Sequence, residues 1–167
     1  MNNTRTRIFD YLTTPLGWLE IAASQGHLQH ILFVDEPVHG ASSDSLLTEA
    51  KQQLEQYFTG KRTTFELPLA PKGTEFQSKV WQALLTVPYG ETCSYLDIAQ
   101  TLGDHKAVRA VGAANGKNPL SIVVPCHRVI GKNGKLTGYA GGLSRKAWLL
   151  QLESGQNSAK QTSFWDE

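Results

Sequence analysis

The stretch Pro68-Leu69-Ala70-Pro71-Lys72-Gly73 most constrains what this chain can fold into. Two prolines and a glycine so close together keep neither the period of a strand nor that of a helix. The sequence has a different texture on each side of it. Before the break, Ile8-Phe9-Asp10-Tyr11, Trp18-Leu19-Glu20-Ile21-Ala22 and Leu28-Gln29-His30-Ile31-Leu32-Phe33 read as strands. Thr14-Pro15-Leu16-Gly17 and Ser24-Gln25-Gly26 read as the turns between them. Leu46, Leu47, Ala50, Leu54, Tyr57 and Phe58 then recur at helical spacing, and Gly60 ends that helix. Residues 1–70 therefore read as a small α/β domain. Its histidines, His27, His30 and His39, have no acid or thiol cluster around them and read as surface or core residues.

After the break the chain turns helical. Thr74 and Gln77 have capping-box spacing ahead of an apolar stripe of Phe76, Val80, Trp81 and Leu84. Ser94 stands three residues before Asp97 and caps a second helix with Leu96, Ile98, Ala99 and Leu102. Gly103-Asp104-His105 reads as a short turn, and a third helix is expected over about Lys106 to Ala114. Helix, Gly-containing turn and helix together resemble a helix-turn-helix, though the same pattern also makes ordinary core hairpins. The last helix is expected over Arg145–Glu153, and residues 156–167 form a polar tail. The expected architecture is α+β overall: an α/β N-terminal domain, then a mainly α domain over 74–155 with a helix-turn-helix.

Charge is segregated along the chain. Residues 1–100 carry 7 Lys/Arg against 11 Asp/Glu, a net of −4. Residues 101–150 carry 8 Lys/Arg (Lys106, Arg109, Lys117, Arg128, Lys132, Lys135, Arg145 and Lys146) against Asp104 alone, a net of +7. A basic segment on a helix-turn-helix suits a polyanion, because phosphate contacts supply most non-specific affinity for nucleic acid. A solvated basic face without a partner is the alternative. No apolar run approaches the ~18 residues that cross a bilayer, and nothing behind Met1–Arg5 reads as a signal peptide. Cys93 and Cys126 are too few for a disulfide framework and lack zinc spacing, which fits a reducing cytoplasm.

The chemistry concentrates in Pro125-Cys126-His127-Arg128-Val129. The apolar, β-branched run Leu120-Ser121-Ile122-Val123-Val124 before it reads as a buried strand delivering a thiol at its end. Neighbouring cations favour thiolate, the nucleophilic form, so the expectation is an activated cysteine. A buried structural cysteine is the alternative. Beyond it, Gly131-Lys132-Asn133-Gly134 reads as a turn, and Tyr139-Ala140-Gly141-Gly142 as a flexible stretch with sterically free amides.

Several segments together resemble the O6-alkylguanine-DNA alkyltransferase family, in its small bacterial form. They are Gly112-Ala113-Ala114-Asn115-Gly116, Asn118-Pro119, Ile122 through Gly131, Gly138 through Gly142, and Leu149-Leu150 with Glu153. The likeness is specific over residues 74–153 and loose over 1–70, where it implies a ribonuclease H-like domain. It implies a single-turnover repair protein that moves the alkyl group of O6-alkylguanine to Cys126 and uses no cofactor and no metal. O4-alkylthymine is a further substrate that the resemblance allows. By the same resemblance His127 is the base, Glu153 orients it, and Tyr95 serves the leaving purine. Asn118, Val129, Tyr139 and Ala140 shape the substrate pocket. Ala140 stands where some relatives have serine and keeps the backbone N–H used there. The implied partner is double-stranded DNA, bound by a monomer through the minor groove with the damaged nucleotide flipped out. Arg109 would fill the gap. Ala107, Ala110 and Ala113 permit close approach. Lys106, Lys117, Lys135 and Arg128 lie on the DNA side.

Two other readings stay open at this point: a DNA-binding lesion sensor with an idle Cys-His-Glu set, and a cysteine hydrolase or redox enzyme acting on a small molecule.

Overall fold

The computed structural model describes residues 6–155. The polar tail expected over 156–167 lies outside the described residues. The chain divides into two compact units that part between Lys72 and Gly73.

In the first unit β1 (Ile8–Thr14), β2 (Gly17–Ser24) and β3 (His27–Val34) form an antiparallel sheet in the order β1-β2-β3. The turns use left-handed backbone, at Gly17 (φ 113°) and Gly26 (φ 80°), where glycine allows it, and at Gln25 (φ 52°). β2 is central and buried from Leu19 to Ser24. Helix α1 (Ser45–Phe58) packs on β1 and β2 through Leu47, Ala50, Leu54 and Tyr57. Asp44 caps it, its carboxylate accepting from the amides of Leu46 and Leu47. The unit is closed by the segment leading to the break. Leu28 N–H donates to Pro68 O, and Ala70 N–H donates to Leu28 O, both at 2.8 Å. The histidines are accounted for locally: His30 bonds the Glu20 carboxylate at 2.8 Å, and the His39 ring stacks on Phe9.

In the second unit α2 (Glu75–Leu84) and α3 (Tyr95–Thr101) both begin with complete capping boxes, Thr74 with Gln77 and Ser94 with Asp97. Helix α4 (Val108–Gly116) follows the turn after α3 and packs against α2 and α3. The Trp81 indole N–H donates to Ala114 O at 2.9 Å and ties α2 to the C-terminal half of α4. Two short strands, β4 (Cys93–Ser94) and β5 (Val129–Ile130), pair in parallel, and α5 (Leu143–Glu153) closes the unit.

The expected strand over Leu120–Val124 is not one. The run is a buried turn: Ile122 has φ 75°, and Val124 N–H donates back to Leu120 O at 2.9 Å. An apolar run of this length carries no period that separates a buried turn from a buried strand. Its backbone groups are satisfied by bonds within the turn and by a side chain instead of a neighbouring strand, as described next.

Candidate active site

Cys126 opens a single 3-10 turn, Cys126–Arg128, directly after Pro125. The turn is held from below by two asparagines. Asn118 Nδ2 donates to Val124 O at 2.9 Å and to Cys126 Sγ at 3.1 Å, while its Oδ1 accepts from Leu120 N–H at 2.9 Å. Asn115, on α4, donates to Cys126 O at 3.4 Å. One side chain, Asn118, thus braces the Leu120–Val124 turn and touches the sulfur. Burial pushes the Cys126 thiol up to about 11, against the opposing pull of the Asn118 N–H and of the Lys146 charge. The expected resting thiolate is therefore corrected: Cys126, 3% exposed, rests as a thiol. The neighbouring Arg128 does not serve it, because its guanidinium is committed to Glu153 and to Val87 O.

His127 and Arg128 both turn to Glu153 on α5. His127 Nε2 lies 2.6 Å from Glu153 Oε2. Arg128 donates from Nε to Oε1 at 2.7 Å and from Nη2 to Oε2 at 3.0 Å, and from Nη1 to Val87 O at 2.7 Å. Burial pushes the Glu153 carboxyl up, but the bonds and charges of His127 and Arg128 outweigh it and hold the group at about 2. A carboxylate only accepts, so Nε2 of His127 carries a proton and Nδ1 is the basic nitrogen. Nδ1 is buried and has no hydrogen-bond partner among the described residues. Burial drives the imidazole down from its ordinary value, against the opposing effect of Glu153, which keeps it neutral and ready to take a proton. Arg128 is thereby corrected as a DNA contact. Arg128 is 6% exposed, and its guanidinium is committed to Glu153 and Val87.

A second chain of contacts was not expected from the sequence. Lys146 on α5 is wholly buried, and its ammonium donates to Val129 O and Thr137 O, both at 2.6 Å. Thr137 Oγ1 and the Tyr95 hydroxyl share a hydrogen bond of 2.9 Å. The signal for Lys146 was its phase: Leu149 and Glu153 stand three and seven residues on, placing the lysine on the buried face of α5. Nothing in the sequence pointed to Thr137. Val129 is fully buried, Tyr139 is buried with its hydroxyl pushed upward by desolvation, and Ala140 is exposed at the loop before α5. Among the described residues no three His, Cys, Asp or Glu side chains come together as a metal would need.

Helix α4 presents Arg109, Ala110 and Ala113 to solvent, with Lys106 and Lys117 exposed at its two ends. Ala107 is the half-buried N-cap and makes no side-chain capping bond. The exposed face is therefore small apart from one arginine. Of the eight cations in the basic segment two, Arg128 and Lys146, are buried, so the surface charge is smaller than the sequence suggested.

A helix-turn-helix unit that buries a cysteine, with a carboxylate-oriented histidine next to it in sequence, sets one candidate nucleophile on a scaffold common among DNA-binding proteins. The comparisons with known proteins agree. Residues 75–155 match the family described as 6-O-methylguanine DNA methyltransferase, DNA binding domain, and residues 8–71 match its ribonuclease-like domain. The constitutive methylated-DNA--protein-cysteine methyltransferase of Bacillus subtilis is 54% identical over 150 residues, covering 84% of this chain and 91% of its own. The methylated-DNA--protein-cysteine methyltransferase of Methanosarcina barkeri is 46% identical over 151 residues, covering 87% and 96%. The crystal structure of Mycobacterium tuberculosis OGT in complex with DNA superimposes with a TM-score of 0.84 at 45% identity, covering 93% of this chain and 98% of that one. The chain belongs to the 6-O-methylguanine DNA methyltransferase family.

Proposed function

We propose that Cys126 accepts the alkyl group of an O6-alkylguanine in duplex DNA, once and irreversibly. As a member of its family the protein is a methyltransferase of DNA repair, and DNA is its partner. The observation that carries the finer reading is the His127 tautomer: a proton fixed on Nε2 by Glu153 leaves a buried basic nitrogen next in sequence to a protonated thiol. Cys126 gives its proton to His127 Nδ1 through a bridging water as Sγ closes on the alkyl carbon. The S–C bond forms while the C–O6 bond breaks. The purine leaves with the electron pair, steadied by a hydrogen bond from Tyr95, and takes back one proton to become ordinary guanine. The thioether has no leaving group that the site can expel, so one chain serves one lesion.

The reading includes nucleotide flipping, because a buried thiol cannot reach a stacked base. Arg109 fills the gap from the minor groove, with Ala107, Ala110 and Ala113 allowing the helix to seat and Lys106, Lys117 and Lys135 contacting phosphate. Tyr139, Val129, Asn118 and the Ala140 N–H line the base pocket. O4-alkylthymine is a further candidate lesion. The protein acts as a monomer in the cytoplasm and without a cofactor.

The test is intact-protein mass spectrometry after incubation with duplex DNA holding one O6-methylguanine. The expected result is a gain of one methylene mass on Cys126 that stops at one equivalent. Many turnovers per chain, or no mass change with the DNA still bound, would overturn the reading.

A further inference from the structure

Thr137 stands outside the Cys-His-Glu set, yet three anchors fix it. Its carbonyl accepts from the buried Lys146 ammonium at 2.6 Å. Its methyl group lies against Gly131, where an added Cβ would come within 3.2 Å of it. Its hydroxyl is 2.9 Å from the Tyr95 hydroxyl. A β-branched side chain is stiff at χ1, so fixing the backbone and the methyl group fixes the hydroxyl too. Tyr95 in turn opens α3, and its ring lies so near Gly112 of α4 that a Cβ added there would meet it at 3.8 Å.

We propose that Thr137 is a positioning residue for the transfer, its hydroxyl aiming and polarising the Tyr95 hydroxyl at the departing purine. Two hydroxyls that share one hydrogen bond divide the roles of donor and acceptor. When Tyr95 donates to the purine, its oxygen is left to accept, and the Thr137 O–H is the donor at hand. A hydroxyl that accepts one bond donates a stronger one, because the chain polarises cooperatively. The bond therefore tightens as negative charge grows on the leaving group, and contributes more to the transition state than to the ground state. No proton leaves Thr137 in this step. The inference rests on the reading that Tyr95 serves the leaving purine.

The test is a double-mutant cycle in the full chain, read as the single-turnover rate of methyl transfer from duplex O6-methylguanine at saturating protein. Thr137→Val keeps the β-branch and the Gly131 contact and removes only the hydroxyl. It should slow transfer roughly fivefold, the effect of one lost hydrogen bond. Thr137→Ser should stay within about twofold of wild type, and Thr137→Ala should fall with Val. In a Tyr95→Phe background Thr137→Val should cost nothing further, because its only route to the reaction is already gone. Wild-type speed in Thr137→Val, or losses that multiply in the double variant, would overturn the proposal. Should Thr137→Val fail to fold, Ser against Ala reads the same hydroxyl. A Tyr95→Phe protein as fast as wild type would remove the role of Tyr95 and this inference together, while leaving transfer to Cys126 intact.

Discussion

Replacing Glu153 by Gln tests how the buried network works, and the structure sets the size of the effect. The carboxylate accepts one bond from His127 and two from Arg128 and is 4% exposed. An amide offers one acceptor oxygen in its place, and its NH₂ must face either an Arg N–H or the His127 N–H. Both are donors, so at least one bond becomes a clash and the Arg128 charge stays buried without its partner. Breaking a buried pair in this way costs about 3–5 kcal/mol. A second route gives a similar figure. The Glu153 carboxyl is held at about 2 against an ordinary 4.5. That difference is worth about 3 kcal/mol at neutral pH. The sign follows from the direction of the shift. A depressed carboxyl stabilises the fold fully above pH 4.5 and loses that contribution as pH falls through about 2. Urea unfolding of wild type and Glu153→Gln between pH 7 and pH 2 should therefore show a gap of about 3 kcal/mol near neutrality that closes in acid. Transfer should slow by ~10²-fold or more, since His127 loses both its tautomer and its orientation. A Glu153→Gln protein within about 1 kcal/mol of wild type at pH 7, or one whose deficit persists unchanged at pH 2, would refute the argument.

Three further outcomes follow from the same geometry. Burial lowers the proton affinity of His127, so the transfer rate should hold as pH falls from 7 through 6.5, where an exposed imidazole would be half protonated, and drop only below that; a half-maximal rate at or above pH 6.5 would contradict a buried neutral base. Lys117→Ala should reduce the salt slope of DNA binding by about one and leave stability unchanged, while Arg128→Ala should leave the slope alone and lose about 3–5 kcal/mol of stability; filter binding across a salt series with parallel denaturation would show the reverse if Arg128 touched DNA. Arg109→Ala should slow transfer from duplex DNA far more than transfer from the free base O6-benzylguanine, and equal slowing of the two would sink the gap-filling role.

The parts of the fold legible in the sequence are those set by local signals. The capping boxes at Thr74 and Ser94 place α2 and α3 to the residue, and the Pro68–Gly73 break lies where the two compact units part. The His127–Glu153 pair was legible through a motif, since nothing in spacing alone brings residue 153 to residue 127. On charge the sequence misled because neighbours along the chain were taken as neighbours in space. Arg128 sits two residues from Cys126 and serves Glu153 instead. Lys146, twenty residues away, is the cation whose charge bears on the sulfur. The run Leu120–Val124 looked like a strand because a strand and a buried turn have the same composition. The difference lies in the Asn118 side chain, which supplies the hydrogen bonds that a partner strand would have given. That substitution has a functional consequence. A strand would lock Cys126 to a sheet, whereas here one side chain bonds both the supporting turn and the sulfur. If Cys126 takes up an alkyl group, the bulkier thioether is expected to disturb the bond from Asn118 first, and with it the carbonyls of Leu120 and Val124 that Asn118 satisfies. On the proposed transfer, the contact that braces the nucleophile is expected to lower the melting temperature of the alkylated chain, and an unchanged melting temperature after alkylation would refute this.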